Sequence, residues 1–194
     1  LILLNGILSG EPESVSAWKA AIDYLANLRD VDENRIGAFG ISRGGYSVMQ
    51  LAGCYNNRVK AVVANAGHPF GYKMTKDELE NYLVARNKRA EYIYGKKGGP
   101  LSFPKWTAED EDNIFKKWAL SELGILDKIN QPILLINGKH DYISPVGNIY
   151  FMLEHGSTTG KEARVYSDAG HCAFKYFDHW APESFRWLKE KLSQ

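Results

Sequence analysis

Arg35-Ile36-Gly37-Ala38-Phe39-Gly40-Ile41-Ser42-Arg43-Gly44-Gly45 is the stretch whose reading decides the fold. Its first five residues read as a short buried strand. Gly40-Ile41-Ser42-Arg43-Gly44 reads as a sharp turn, with a helix over about 45–55 just beyond. In a strand–turn–helix of the form Gly-x-Ser-x-Gly, the serine is held in a strained backbone and its hydroxyl projects from the end of the sheet. Side chains at Gly40 and Gly44 are expected to collide where the turn meets its neighbouring strand and helix. A serine presented this way needs an acid and then a histidine, each just past a later strand.

Working outward, both partners occur in that order. Pro132-Ile133-Leu134-Leu135-Ile136-Asn137-Gly138 is an apolar run suited to a buried strand, and the turn after it carries Asp141. Ala163-Arg164-Val165-Tyr166 is the next strand, followed by Ser167-Asp168-Ala169-Gly170-His171. Loops at the carboxyl ends of strands are where ligand chemistry sits in open α/β sheets. The chain order Ser42, Asp141, His171 differs from both the chymotrypsin and the subtilisin orders. For the acid, Asp141 competes with Asp168, three residues before His171 on the same loop, and with Asp127. Asp141 is preferred because it follows a strand at the expected distance and Pro145 fixes its turn.

Five histidines are present, and His171 is favoured by position. His140 adjoins the acid and is expected to pack locally. His155 ends a helix, where its charge suits the helix dipole, and His179 reads as a surface residue at a helix start. His68 follows a strand at the same sheet edge. It reads either as a pocket-lining residue or as a plain loop histidine beside a hinge. No pair has metal-ligand spacing, so neither a metal nor another cofactor is expected.

The same strand–helix alternation extends on both sides. Val15, Trp18, Ile22, Leu25 and Leu28 recur at helical spacing, and Val59-Lys60-Ala61-Val62-Val63-Ala64-Asn65 is a further strand. Alternation of this kind predicts an α/β fold, a mostly parallel sheet with helices on its faces. It stops over residues 71–130, where helices are expected at about 75–94 and 107–120 around a Gly/Pro-rich break at 95–104. A further short helical turn is expected within 119–128. Nearly sixty residues without a sheet strand exceed an ordinary crossover and predict an inserted helical cap, leaving residues 1–70 and 131–194 as the core. The insertion's aromatics, Tyr82, Tyr92, Tyr94, Phe103, Trp106, Phe115 and Trp118, are expected mostly in the cap's own core. Helices at about 146–155 and 182–192 complete the order.

Composition adds bounds. At 194 residues, 44% hydrophobic and 24% charged, the chain can bury one sizeable core. A net charge of +1 leaves no electrostatic footprint for nucleic acid or anionic membrane. No run approaches the roughly 18 apolar residues of a membrane span. Two cysteines, Cys54 and Cys172, make no disulfide framework, which favours a reducing compartment and a cytoplasmic setting. The chain opens on Leu1-Ile2-Leu3-Leu4-Asn5-Gly6, an apolar strand without an initiator methionine, and reads as the interior of a longer polypeptide.

The segment from Val31 to Tyr46 resembles the elbow region of prolyl-oligopeptidase-like α/β-hydrolases. The helical insertion and Asn137-Gly138-Lys139-His140-Asp141 look most like the branch holding FrsA-like esterases, fungal pigment-polyketide C–C hydrolases and pseudooxynicotine hydrolases. The resemblance implies a serine hydrolase with Ser42 as nucleophile, Asp141 and His171 as its partners, and the Arg43 backbone N–H in the oxyanion hole. It implies an acyl or ketone small molecule as substrate, a peptide being the alternative. A non-catalytic binding protein on the same scaffold is the reading from another class. It also implies that Leu1–Asn5 is the fold's fourth strand and that the first three strands are absent, including the third, which lies between the fourth and fifth. An N-terminal segment, from the same longer chain or another, would then be needed for activity. A homo-oligomer is left open.

Overall fold

The computed structural model describes residues 12–94, 107–156 and 159–194. The strand expected at 1–5, the loop after it, the break at 95–104 and the aromatics Phe103 and Trp106 lie outside them, as does the side chain of Tyr94. The elements run α1 (Pro12–Ala26), β1 (Ile36–Ile41), α2 (Arg43–Cys54), β2 (Val59–Asn65), α3 (Lys76–Tyr94) and α4 (Ala108–Trp118). They continue with β3 (Ile133–Gly138), α5 (Gly147–Glu154), β4 (Lys161–Tyr166) and α6 (Phe177–Lys191), with 3-10 turns at Leu126–Lys128 and His171–Tyr176.

The four strands form one parallel sheet in the order β1-β2-β3-β4. Strands added one after another in a constant direction, through crossovers of one hand, put their connecting helices on one face. Met49 and Leu51 of α2 and Ile149 and Met152 of α5 accordingly pack together against Val62, Ala64, Ile133 and Leu135. The alternate strand residues Ala61, Val63, Leu134 and Ile136 face the other way, onto Trp180 and Trp187 of α6. Both faces of β2 and β3 are therefore buried, and both strands are near-continuous apolar runs. All four strands end toward the same edge, where the loops after β1, β2, β3 and β4 meet.

Several boundaries differ from the sequence expectation. Helix α6 begins at Phe177, five residues before the expected start at Pro182. Proline removes one helical hydrogen bond, here to the carbonyl of Asp178. The first turn is held instead by Trp180, which is fully buried and donates its Nε1–H to the Ala173 carbonyl at 3.0 Å. Strand β4 begins at Lys161, two residues early, because its ladder with β3 opens at the Ile133–Lys161 pair. Helix α2 starts at Arg43, directly after the serine.

Between β2 and β3 the described residues form α3, α4 and one 3-10 turn. Thr107 caps α4 by accepting from the Asp110 N–H, and Asp110 accepts from the Thr107 N–H in return. Tyr82 is 3% exposed, whereas Tyr92 is 91% exposed, contrary to its expected place in a core. Ten residues along a helix amount to a rotation of about 80° away from Tyr82's face, which carries Tyr92 out to solvent. Among the described residues no helix is long and apolar enough to cross a membrane.

Candidate active site

Ser42 occupies the junction of β1 and α2 with φ 55° and ψ −117°, a region costly for a residue with a side chain. Its backbone is pinned there, its N–H donating to the Asn65 carbonyl at the end of β2 (2.7 Å) and its carbonyl accepting from Tyr46 N–H (3.2 Å). A serine in this position before a helix ordinarily caps it with its hydroxyl. Here the hydroxyl makes no capping bond. Its Oγ lies 2.8 Å from Nε2 of His171 instead.

The local glycines divide. A Cβ on Gly40 would stand 2.1 Å from the Gly44 carbonyl oxygen, and one on Gly45 would stand 2.8 Å from Asn65 O and Gly67 Cα. Gly44, expected to be crowded, has nothing within 4 Å of such an atom. The tight approach is between Gly45 and the loop after β2, so the collision belongs one residue later than the motif suggested.

His171 follows β4, in a 3-10 segment kinked at Cys172 (φ 60°) and Ala173 (φ 48°). Its Nδ1 lies 2.8 Å from Oδ2 of Asp141. The carboxylate can only accept, so Nδ1 carries the proton and the Nε2 lone pair faces the Ser42 hydroxyl. The Asp141 side chain is fully buried. Its other oxygen, Oδ1, accepts from the backbone N–H groups of Ile143 (2.8 Å) and Ser144 (3.0 Å). Three loops from three strands thus converge on one chain of hydrogen bonds, from the Ser42 hydroxyl through the imidazole to the carboxylate. A set of this kind can activate a hydroxyl as a nucleophile.

The other acids stand apart from it. Asp168 is exposed and bonded to Lys175 and Tyr176, and Asp127 is exposed in the 3-10 turn. His140 and His179 are exposed, and His155 lies on Phe151, 4.1 Å between ring centroids, with Nδ1 2.8 Å from the Phe151 carbonyl oxygen. Arg43 is the first residue of α2, so its amide sits at a helix N-terminus, where N–H groups face outward. Its guanidinium lies 3.8 Å from the Trp118 ring centroid and 5.5 Å from that of Tyr46.

His68 lies on the loop after β2. Its Nδ1 accepts from the Phe70 N–H at 3.1 Å, and its ring stacks on Phe70 with centroids 4.3 Å apart. It lines a cleft of about 420 Å³ with residues of α3 and α4, including Leu79, Glu111 and Phe115. Burial holds its pKa down at about 4, against the opposing pull of Asp141.

Sequence reasoning missed the residues that hold these loops. Asn65 donates from Nδ2 to the Cys172 carbonyl at 3.1 Å, tying the end of β2 to the His171 segment. Asn137 donates to the Ser144 carbonyl at 2.7 Å and accepts from Gly138 N–H, closing the Asp141 turn. The available signal was an asparagine near the carboxyl end of each apolar strand, where a buried amide must find partners.

Comparison with known proteins identifies relatives of the chain and of its fold. Dipeptidyl-peptidase 5 of Porphyromonas endodontalis is 26% identical over 196 residues, covering 98% of this chain and 26% of that protein. Dipeptidyl-peptidase 5 of Porphyromonas gingivalis is 28% identical over 173 residues, covering 86% of this chain and 23% of that protein. The chain thus spans about a quarter of the length of these curated relatives. Among solved structures, 2,6-dihydroxy-pseudo-oxynicotine hydrolase superposes with a TM-score of 0.67 at 22% identity, covering 93% of this chain and 46% of that one. An esterase of Pyrococcus furiosus superposes with a TM-score of 0.62 at 18% identity, covering 95% of this chain and 65% of that one. These likenesses identify the fold as that of the α/β-hydrolases. The profile of the Prolyl oligopeptidase family matches residues 13–194, and the chain belongs to that family.

Proposed function

We propose that this chain carries the catalytic centre of a serine hydrolase that cleaves carbonyl compounds, a carboxylic ester or a C–C bond beside a carbonyl, through a covalent intermediate on Ser42. The observation that carries the reading is the pair of 2.8 Å contacts linking Ser42 Oγ, His171 and Asp141. In this reading His171 Nε2 takes the Ser42 proton as Oγ attacks the carbonyl carbon, then delivers it to the leaving group. Asp141 keeps the ring in the required tautomer and stabilises the imidazolium. The Arg43 N–H donates to the oxyanion, an interaction worth about 3 kcal/mol in comparable sites. Water then enters by the same route and releases the acid. Helices α3 and α4 act as a cap that selects the substrate.

A second reading is favoured by a specific observation. The family and both Porphyromonas relatives point to peptide-bond cleavage, which the same three residues serve equally well. The whole protein, treated with a fluorophosphonate probe and digested for mass spectrometry, should be labelled at Ser42. Ser42→Ala should lose the label and at least about a thousandfold in kcat on 4-nitrophenyl esters, a β-diketone or dipeptidyl amides, whichever is turned over. An unlabelled Ser42 with undiminished turnover in the alanine variant would sink the nucleophile. The panel itself separates ester, C–C and peptide cleavage.

A further inference from the structure

Strand β2 is an apolar run that ends on one polar residue, Asn65, and it supplies none of Ser42, Asp141 or His171. The loops that carry those three are nonetheless all fastened to its end. The Asn65 carbonyl accepts from the Ser42 N–H at 2.7 Å, and the Asn65 side chain donates to the carbonyl of Cys172, next to His171, at 3.1 Å. Two residues on, the Gly67 carbonyl accepts from the Ser144 hydroxyl at 3.3 Å, and Ser144 gives its own N–H to Asp141. Asn65 thus bonds directly to both the elbow and the histidine turn.

The histidine turn depends on being held. Cys172 (φ 60°) and Ala173 (φ 48°), directly after His171, both sit in left-handed backbone without being glycine. Residues in that region persist only where the surrounding structure over-determines them. Here two successive carbonyls are each taken by a buried donor, that of Cys172 by Asn65 Nδ2 and that of Ala173 by Trp180 Nε1. Asn65 is itself paired with Ile41 of β1 on one side and Ile136 of β3 on the other, so its amide is mounted on the interior of the sheet.

The amide is there for its donor. The Cys172 carbonyl can only accept, so the amide nitrogen faces it and Oδ1 points away. That oxygen is buried and has no hydrogen-bond partner, and an orphan of this kind calls for a reason. Leucine would fill the same volume without it, so packing alone does not account for an asparagine here. What the tie can control is distance. Ser42 Oγ stands 2.8 Å from His171 Nε2, and misplacing a reacting group by about 1 Å can cost about a hundredfold in rate.

We propose that Asn65 is a positioning residue: holding the elbow through its backbone carbonyl and the Cys172 carbonyl through its side chain, it sets the approach of His171 to the Ser42 hydroxyl. It touches no substrate atom and acts through His171, and the assignment rests on Ser42 being the nucleophile.

The test is the rate at which a fluorophosphonate labels Ser42 in the whole protein, resolved into the first-order constant at saturation and the half-saturating concentration. Asn65→Leu keeps the volume and the backbone carbonyl and removes the donor. It should slow saturated labelling about 10–100-fold while moving half-saturation by less than about twofold. In a His171→Ala background, where no ring is left to place, it should add less than about twofold to the loss. Asn65→Ala carries the same expectations if the leucine variant does not fold. Labelling as fast as the wild type, a change confined to half-saturation, or the full further loss in the His171→Ala background overturns the proposal. A wild type that is never labelled removes Ser42 as nucleophile, and the role of Asn65 with it. Nitrogen-15 spectra read the contact without any reagent. In Asn65→Leu the His171 Nε2 resonance should move toward that of an unbonded imidazole, and an unmoved resonance overturns the positioning role whatever the fate of Ser42.

Discussion

Ser42 holds a backbone conformation that most side-chain-bearing residues avoid, kept there by its backbone bonds to Asn65 and Tyr46 in a turn that glycines allow to close tightly. Which glycines matter was only half legible. The motif names Gly40 and Gly44, yet the crowding falls on Gly40 and Gly45. The reason is physical: the obstacle to a side chain at Gly45 is the Asn65 carbonyl at the end of β2 and Gly67 just past it, far along the chain, and a pentapeptide carries no distance to them. Gly45→Ala should therefore cost about 1–3 kcal/mol through forced backbone displacement. Gly44→Ala, in open space and in the first turn of α2, should be neutral or up to about 1 kcal/mol stabilising. Urea unfolding of the two variants decides the point, and Gly44→Ala being the more damaging would refute the packing argument. Ser42, Asp141 and His171 could be picked out because each follows the carboxyl end of a strand, an apolar one for the first two. The asparagines that lock those loops were not, since their partners are backbone groups distant in sequence.

At the scale of elements, strands β2 and β3 were readable because burial on both faces of the sheet makes each a compact apolar run. The start of α6 was obscured by Pro182, whose usual place is the first turn of a helix, while Trp180 extends the helix backward by packing. The tie between α2 and α4 was equally hidden. The guanidinium of Arg43, beside the serine, lies over Trp118. Tyr46 O–H donates to the Trp118 carbonyl at 3.0 Å, and Phe70 packs against both rings. The elbow helix and the segment between β2 and β3 therefore share one aromatic box. A double-mutant cycle of Arg43→Met with Trp118→Leu should give a coupling of about 0.5–2 kcal/mol in urea unfolding. Strict additivity would remove the cation–π contact from the account. The backbone N–H of Arg43 survives the substitution, so the cycle probes the tie between helices separately from the oxyanion site.

Over the whole molecule, two cores sandwich one sheet, and every loop discussed above lies at the sheet's carboxyl edge. One half-buried ring at that edge makes stability depend on pH. His68 has an ordinary pKa near 6.5 when unfolded and about 4 when folded, because desolvation disfavours its charged form. Asp141 after β3 pulls the value up, Arg86 of α3 pushes it down, and Glu111 of α4 lines the same cleft. Between pH 6.5 and 4 the unfolded chain binds a proton at this site that the folded chain refuses. Stability must therefore fall with acidification across that window and be fully present above it. The drop from 6.5 to about 4 bounds the loss at roughly 3 kcal/mol. The half-buried flank of the ring lets solvent in and draws the figure toward about 1–2 kcal/mol. His68→Gln has no proton to bind, so it should be less sensitive to acid than the wild type by that amount. Urea unfolding of both proteins at pH 7.0, 5.5 and 4.5 gives the difference directly, with the carboxylates common to both cancelling. Parallel stability curves down to pH 4.5 would mean that His68 is solvated in the folded protein and that its charged form costs nothing there.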